Sequence, residues 1–189
     1  MFSDACGGRR EHYVDLFADE EARLGQYKEK QSCLLAIEEV VERLREQSCI
    51  HERIVTVEEF DEPTGPQSVL NVLAKSCYFV VVQTASYWWS LERRDDTIVI
   101  QRSRNFSSVH SRCRGSYRSY RWLLETAPTS QRSVRCRRGP KLVELFSSML
   151  RDHVFDAKGC ESSSWEFSSY VFDFCLYGRH PSRTQAEVN

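Results

Sequence analysis

The sequence predicts an α+β domain, in which helices pack on a single antiparallel sheet. Three runs of β-branched and aromatic residues, at 77–82, 86–92 and 97–101, are separated by only three or four polar residues. Such short connections exclude crossover helices and favour an antiparallel meander. Because helical patterns precede and follow these runs, we expect an antiparallel sheet of three to five strands with an N-terminal helical segment and two C-terminal helices.

The N-terminal helical pattern lies in residues 10–47. Apolar side chains recur there at spacings of three, four and seven, with charged residues between them, which predicts one or two amphipathic helices. The apolar positions are Tyr13, Leu16, Phe17, Leu24, Tyr27, Leu34, Ile37, Val41 and Leu44. A short strand is predicted at 53–59, and the two prolines and one glycine of residues 61–66 predict a turn.

The middle run of the predicted meander contains two adjacent tryptophans. Alternation along a strand places Tyr87, Trp89 and Leu91 on one face of the sheet. The opposite face receives Trp88, Ser90 and Glu92. We therefore expect Trp88 and Trp89 to be buried on opposite faces, one in the core and the other under a covering helix or in a groove.

The C-terminal half begins with an arginine- and serine-rich loop region, residues 102–139, with a possible short strand at 120–124. After Pro140, a helix is predicted with one apolar face, formed by Leu142, Leu145, Phe146, Met149 and Leu150. A second helix follows the capping box at 163–166, with Phe167, Tyr170, Val171, Phe174 and Cys175 on one stripe. We divide the chain into an acidic helical segment packing on the domain (1–50), the α+β domain (51–178) and a flexible tail (179–189).

Charge is distributed unevenly along the chain, although the net charge of the 189 residues is only −1. Residues 1–62 hold sixteen acids and eight bases, whereas residues 93–138 hold twelve arginines and three acids. Two interpretations follow: the acidic segment folds over the basic one and neutralises it, or the basic segment is a polyanion site. The candidate nucleic-acid or anion-binding residues are Arg112, Arg114, Arg118, Arg135, Arg137 and Arg138.

Aromatic side chains are interleaved with these arginines, namely Phe106, Tyr117, Tyr120 and Trp122. Such a mixture is typical of proteins that bind single-stranded nucleic acid through phosphate contacts and base stacking. RNA binding through residues 102–138 is therefore one hypothesis for the function.

The eight cysteines are at least fifteen residues apart, so the chain has no C-x-x-C zinc or redox motif. We predict no metal and no cofactor, and interpret Cys33, Cys77 and Cys175 as buried structural thiols. The longest apolar run, residues 77–82, is too short for a membrane helix, and the first ten residues lack the pattern of a secretory signal. These features predict a cytoplasmic or nuclear protein.

Residues 70–177 resemble the permuted papain-like domains of the NlpC/P60 and lecithin-retinol acyltransferase-like superfamily. The resemblance rests on YWWSLE at 87–92, IVIQRS at 98–103, the helix at 141–150 and SSWEFSSYVF at 163–172. In that family the last helix opens with Asn-Cys-x-x-Phe-Ala and supplies a cysteine nucleophile, which a histidine on the first core strand activates. The resemblance implies that residue 164 lies at the start of the last helix, facing the first core strand near Cys77.

The positions that carry catalysis in that family differ in this chain. Aligning Phe167 with the family's phenylalanine places Ser163 at the asparagine and Ser164 at the nucleophile. Residues 73–82 contain no histidine, and a serine without a base is not a competent nucleophile at neutral pH. The resemblance therefore implies a non-catalytic interaction domain that binds a protein partner through its acidic helix or its basic face.

An enzymatic alternative uses Cys160, which lies just ahead of the last helix, as the nucleophile of an acyltransferase or hydrolase. A thiol near a helix N-terminus has a lowered pKa, and His153 or His110 would serve as the base. The competing interpretations are a loop thiol for Cys160 and a favourable helix C-terminal charge for His153. We expect His51 and His110 to be solvated.

Overall fold

The computed structural model describes residues 12–15, 33–64, 75–94, 97–112, 128–155 and 164–178. Its strands are β1 (His12–Asp15), β2 (Cys33–Leu35), β3 (Thr56–Thr64), β4 (Lys75–Gln83), β5 (Trp88–Arg94), β6 (Thr97–Ser103) and β7 (Thr129–Arg135). Its α-helices are α1 (Ile37–Arg45), α2 (Leu142–Arg151) and α3 (Ser164–Tyr177). A 3₁₀ turn at Ser48–His51 and a π-helical turn at Ser108–Arg112 complete the described elements.

The strands form one sheet in the order β2-β1-β6-β5-β4-β3-β7. Five of them, β6-β5-β4-β3-β7, make a continuous antiparallel sheet, which confirms the predicted α+β class. The predicted meander is the β4-β5-β6 part of this sheet. At the β6 edge the sheet is extended by β1, which pairs parallel to β6, and by β2, which pairs antiparallel to β1.

The predicted N-terminal helix over residues 10–47 is wrong in its extent. In the described part of this region the helix is α1, whereas His12–Asp15 and Cys33–Leu35 are strands; residues 16–32 lie outside the described residues. A few apolar residues at short spacings fit a strand as well as a helix, so the pattern alone does not separate them. The backbone pairing of Tyr13 with Val99 on β6 decides in favour of the strand.

Two polar segments that were predicted as irregular are also strands. The first is Asp61–Thr64, predicted as part of a turn, which continues β3 and places Pro63 opposite Ser76 near the strand end. The second is Thr129–Arg135, predicted as loop, which is β7 at the edge of the sheet. Because most β7 side chains are exposed, the strand lacks the apolar alternation on which the prediction relied.

The sheet has two different faces, and Trp88 and Trp89 lie on opposite ones, as predicted. Trp89 is fully buried on the first face, in the core that the helices cover. The second face carries a smaller aromatic cluster, in which half-buried Trp88 contacts Phe106 with ring centroids 5.0 Å apart. The first-face core residues contributed by the described strands are Val14, Val57, Val80, Val82, Trp89, Leu91, Ile98 and Ile100.

Both C-terminal helices pack on the first face with the apolar residues predicted for them. From α2 these are Leu142, Leu145, Phe146 and Met149, and from α3 they are Phe167, Tyr170, Val171, Phe174 and Cys175. The helix α3 lies across β4, β5 and β3, so its first turn comes next to the start of β4. The predicted capping residue Ser163, the possible strand at 120–124 and the tail at 179–189 lie outside the described residues.

Candidate functional site

The first turn of α3 occupies the position where the resemblance locates a nucleophile. Ser164 is the first residue of α3, and its Oγ accepts a hydrogen bond from the backbone N–H of Tyr78 at 3.1 Å. Tyr78 follows Cys77 on β4, so Ser164 faces this strand as expected. The hydroxyl of Ser164 thus joins the helix to the sheet.

Tyr78, whose backbone binds Ser164, carries an ionisable side chain. Burial, with the negative charges of Asp61 and Glu59, raises the pKa of the Tyr78 phenol, which therefore stays neutral. Within the described ranges no histidine hydrogen-bonds to Ser164.

His153 has a structural role at the end of α2. The backbone N–H of His153 donates to the Leu150 carbonyl at 3.1 Å, and the backbone N–H of Val154 donates to the Met149 carbonyl at 2.9 Å. Its φ of 56° completes a Schellman motif, the usual helix ending in which a left-handed residue follows the C-cap. Asp152 and Val154 also connect this turn to Tyr170 and Arg93, at 2.8 Å and 2.9 Å respectively.

His110 is packed among aromatic rings, so the expectation that it is solvated is wrong. Its ring lies 4.6 Å from that of Phe60 and 5.0 Å from that of Phe106, centroid to centroid. This cluster is on the second face of the sheet, opposite α3. His51 is exposed, as predicted. Cys160, the nucleophile of the enzymatic alternative, lies outside the described residues.

Beneath α3 lies a buried polar cluster that the sequence analysis missed. The Glu59 carboxylate, only 2% exposed, accepts two hydrogen bonds from the Arg132 guanidinium, of which Nη2–Oε1 is 2.9 Å. Glu59 also accepts a hydrogen bond from Ser168 on α3, while Arg132 donates to Ser169 and lies 4.2 Å from the Phe172 ring centre. The hydrogen bonding and charge of Glu59 raise the pKa of Arg132 above its ordinary value. The cluster ties β3, β7 and α3 together.

A second cluster of charge, which we call the arginine corner, is formed by Arg53, Arg135, Arg137 and Arg138. The first three line an open depression of about 450 Å³, and all four side chains are exposed. The Arg53 Nη1 donates to the Gly139 carbonyl at 3.0 Å, which brings the segment before β3 against the segment after β7.

Close packing of these two segments fixes the shape of the arginine corner. The Ile54 N–H donates to the Pro140 carbonyl at 2.9 Å, and the Cys136 N–H donates to the Val55 carbonyl at 2.8 Å. Gly139 fits between them because a Cβ at this position would lie 2.1 Å from the Ile54 carbonyl oxygen. Only glycine is compatible with this approach.

The acidic and basic segments of the sequence meet in the ion pair of Glu59 with Arg132, while residues 1–11 and 16–32 lie outside the described residues, so neutralisation of the arginine corner stays a prediction. The helix α1 packs on β1 and β2, at the sheet edge opposite β7. In the described parts of the chain, Arg135, Arg137 and Arg138 form no ion pair.

The side chains of the other three predicted arginines lie outside the described part of the chain. Arg114 and Arg118 lie outside the described residues, and Arg112 belongs to the π-helical turn. Sequence reasoning selected Arg135, Arg137 and Arg138 but missed Arg53, because it is about eighty residues away from them in the chain and no local pattern links the two segments.

The thiols in the described ranges are reduced and structural. Cys49, Cys77, Cys136 and Cys175 are free, and burial raises the pKa of Cys136 and Cys175, which keeps both thiols protonated and unreactive. Cys175 is buried as predicted, whereas Cys77 is half-buried and donates to the Glu92 carboxylate at 3.1 Å. The side chain of Cys33 is outside the description.

In the described segments, no group of three histidine, cysteine or acidic side chains has a geometry that holds a metal ion. None of the helices described combines the length and apolarity needed to cross a membrane. Comparison with protein-family models, curated proteins and solved structures returned no match to this chain.

Proposed function

We propose that this protein is a non-catalytic interaction domain that binds a protein partner, built on a degenerate permuted papain-like scaffold. The observation that carries the proposal is the hydrogen bond from the Tyr78 N–H to Ser164 Oγ, 3.1 Å long, at the suspected nucleophile position. In an active enzyme of this type, the group at the helix start faces a base and an open cleft. Here a serine replaces the thiol and fastens the helix to β4.

The buried cluster under α3 gives the proposal further support. Glu59 bonds to both Ser168 and Arg132, so α3 is held on the sheet by a charged pair as well as by apolar packing. This cluster joins three elements, β3, β7 and α3, close to the start of α3. This arrangement suits a rigid scaffold that presents a surface to a partner.

The surface we assign to the partner is the arginine corner, since its exposed cations have no ion-pair partner among the described residues. RNA binding is the second candidate because the same cations suit phosphates. The free thiols support the proposed cytoplasmic or nuclear setting, where cysteines stay reduced.

Catalysis is tested directly by ester hydrolysis. The purified chain is incubated with p-nitrophenyl acetate and with a thioester, alongside the Ser164→Ala and Cys160→Ser variants. We expect product release at the buffer rate for all three proteins, because no base activates Ser164. Turnover that disappears in Cys160→Ser would establish the cysteine-dependent alternative, and turnover that disappears in Ser164→Ala would establish a serine enzyme.

A further inference from the structure

We infer that the partner contributes an extended acidic segment, which adds to the outer edge of β7 as an eighth strand and inserts its carboxylates into the arginine corner. The inference deepens the proposed function by naming the chemistry of the partner and the way it binds. It uses strand addition, in which backbone hydrogen bonds give affinity and side-chain contacts give specificity.

The edge available for pairing is the outer side of β7. Among the described strands β7 ends the sheet order and pairs with β3 alone. The Cys136 N–H points towards β3, since it donates to the Val55 carbonyl. Peptide groups alternate in direction along a strand, so those of Ser133 and Arg135 point away from β3 and can pair with a further strand.

Charge selects the kind of strand that fits this edge. Arg135 ends β7, and Arg137 and Arg53 line the depression beyond it. Among the described residues none of the three has an acidic partner, and Arg53 alone is bound, to a backbone carbonyl. Glutamate or aspartate on the incoming segment would supply the missing counter-charges.

Two other occupants of the β7 edge, a second copy of this chain and single-stranded RNA, fit less well. A second copy of this chain pairing edge to edge would bring two arginine corners next to each other, and like charges repel across a strand pair. Single-stranded RNA requires aromatic platforms for its bases. Among the described residues no exposed aromatic side chain lines the depression, and Phe106 is packed against Trp88 and His110 on the second face; Tyr117, Tyr120 and Trp122 lie outside the described residues.

The inference is tested by titrating the full chain with a fluorescent twelve-residue peptide in which glutamate alternates with threonine. The matched probes are the lysine–threonine peptide, the glutamate–threonine peptide N-methylated at every amide, a twelve-nucleotide single-stranded RNA and inorganic phosphate. N-methylation removes the donors that pair with an edge strand while it keeps the charge. We expect only the unmodified acidic peptide to bind tightly at low ionic strength.

Protein variants distinguish the contribution of the β7 edge to binding from that of the arginine corner. Reversing two cations in Arg135→Glu/Arg137→Glu should raise the dissociation constant about tenfold or more, whereas Arg43→Glu/Arg45→Glu on α1, with the same change in charge, should leave it within about twofold. The backbone N–H of Ser133 points away from β3 and makes no hydrogen bond to it. Ser133→Pro removes this donor and should weaken binding of the acidic peptide about tenfold. Circular dichroism verifies that each variant is folded.

Several outcomes would overturn the inference. These are no binding of the acidic peptide, equal binding of its N-methylated form, equal weakening by the two double reversals, and tight binding of RNA in place of the peptide. If Ser133→Pro unfolds the chain, the N-methylated peptide still tests whether backbone hydrogen bonds contribute to binding. None of these outcomes depends on ester turnover, so the inference and the non-catalytic proposal fail by separate measurements.

Discussion

His153 shows at the scale of one residue how a candidate catalytic group is explained by backbone geometry. Its left-handed φ of 56° lets the end of α2 satisfy the Leu150 and Met149 carbonyls. Any residue with a Cβ is strained in this conformation. The imidazole is exposed, and the backbone of the residue does the structural work.

His153→Gly should therefore raise the free energy of unfolding by about 0.5 kcal/mol. Relief of the left-handed penalty, about 1–2 kcal/mol, exceeds the extra entropy that glycine loses on folding, about 0.5–1 kcal/mol. Urea denaturation measures the difference. His153→Ala is the control, because it removes the imidazole but keeps the strain and should bring no gain. A gain from alanine equal to that from glycine would refute the explanation.

Residue-level predictions from sequence succeeded where a local period governs the outcome. Strand alternation predicted that Trp88 and Trp89 lie on opposite faces of the sheet. Alignment of Phe167 with the family motif predicted that Ser164 lies at the start of α3. The role of His153 was missed, because a positive φ at a residue other than glycine leaves no trace in the sequence.

At the scale of elements, the anchoring of α3 depends on a charge that the strands bury. Glu59 lies on the first face of β3, paired with Arg132 on β7, and both reach the serines of α3. A buried carboxylate is tolerated only when its charge is compensated and its oxygens are hydrogen-bonded. The strand β7 therefore stabilises the position of α3 although it is polar and lies at the sheet edge.

Arg132→Ala should lower the free energy of unfolding by about 3 kcal/mol, because it leaves the Glu59 carboxylate buried with Ser168 as its remaining partner. Arg135→Ala, which removes an exposed cation from the same strand, should change it by less than about 0.5 kcal/mol. In the double variant Glu59→Leu/Arg132→Ala the loss should be smaller than the sum of the single losses. Strict additivity in chemical denaturation would disprove the coupling.

On the scale of the whole molecule, the described sheet has a cluster of exposed positive charge at one edge. The arginine corner follows β7, while α1, with three glutamates and two arginines, packs on β1 and β2 at the other edge. A charge cluster without compensation destabilises a folded chain through its own repulsion. We interpret the arginine corner as a surface whose stability is completed by a bound anion.

Arg135→Gln/Arg137→Gln should consequently raise the midpoint of thermal unfolding by about 1–2 °C at low ionic strength, through relief of the repulsion. The gain should vanish near 1 M salt, where the screening length is only about 3 Å. Arg151→Gln is the matched control, since Arg151 is paired with Asp152 and should show no gain. A gain that persists at high salt would exclude the electrostatic explanation.

By itself, the sequence determined the α+β class, the meander and the apolar faces of α2 and α3, because each depends on a period within a few residues. Tertiary structure alone decided that the segment of Tyr13 is a strand and that polar β7 joins the sheet, since both result from pairing with distant strands. It also decided that Arg53 meets Arg135 and Arg137, and that Glu59 meets Arg132 and Ser168. Contacts between residues far apart in the chain are set by how the layers pack, and no local pattern encodes them.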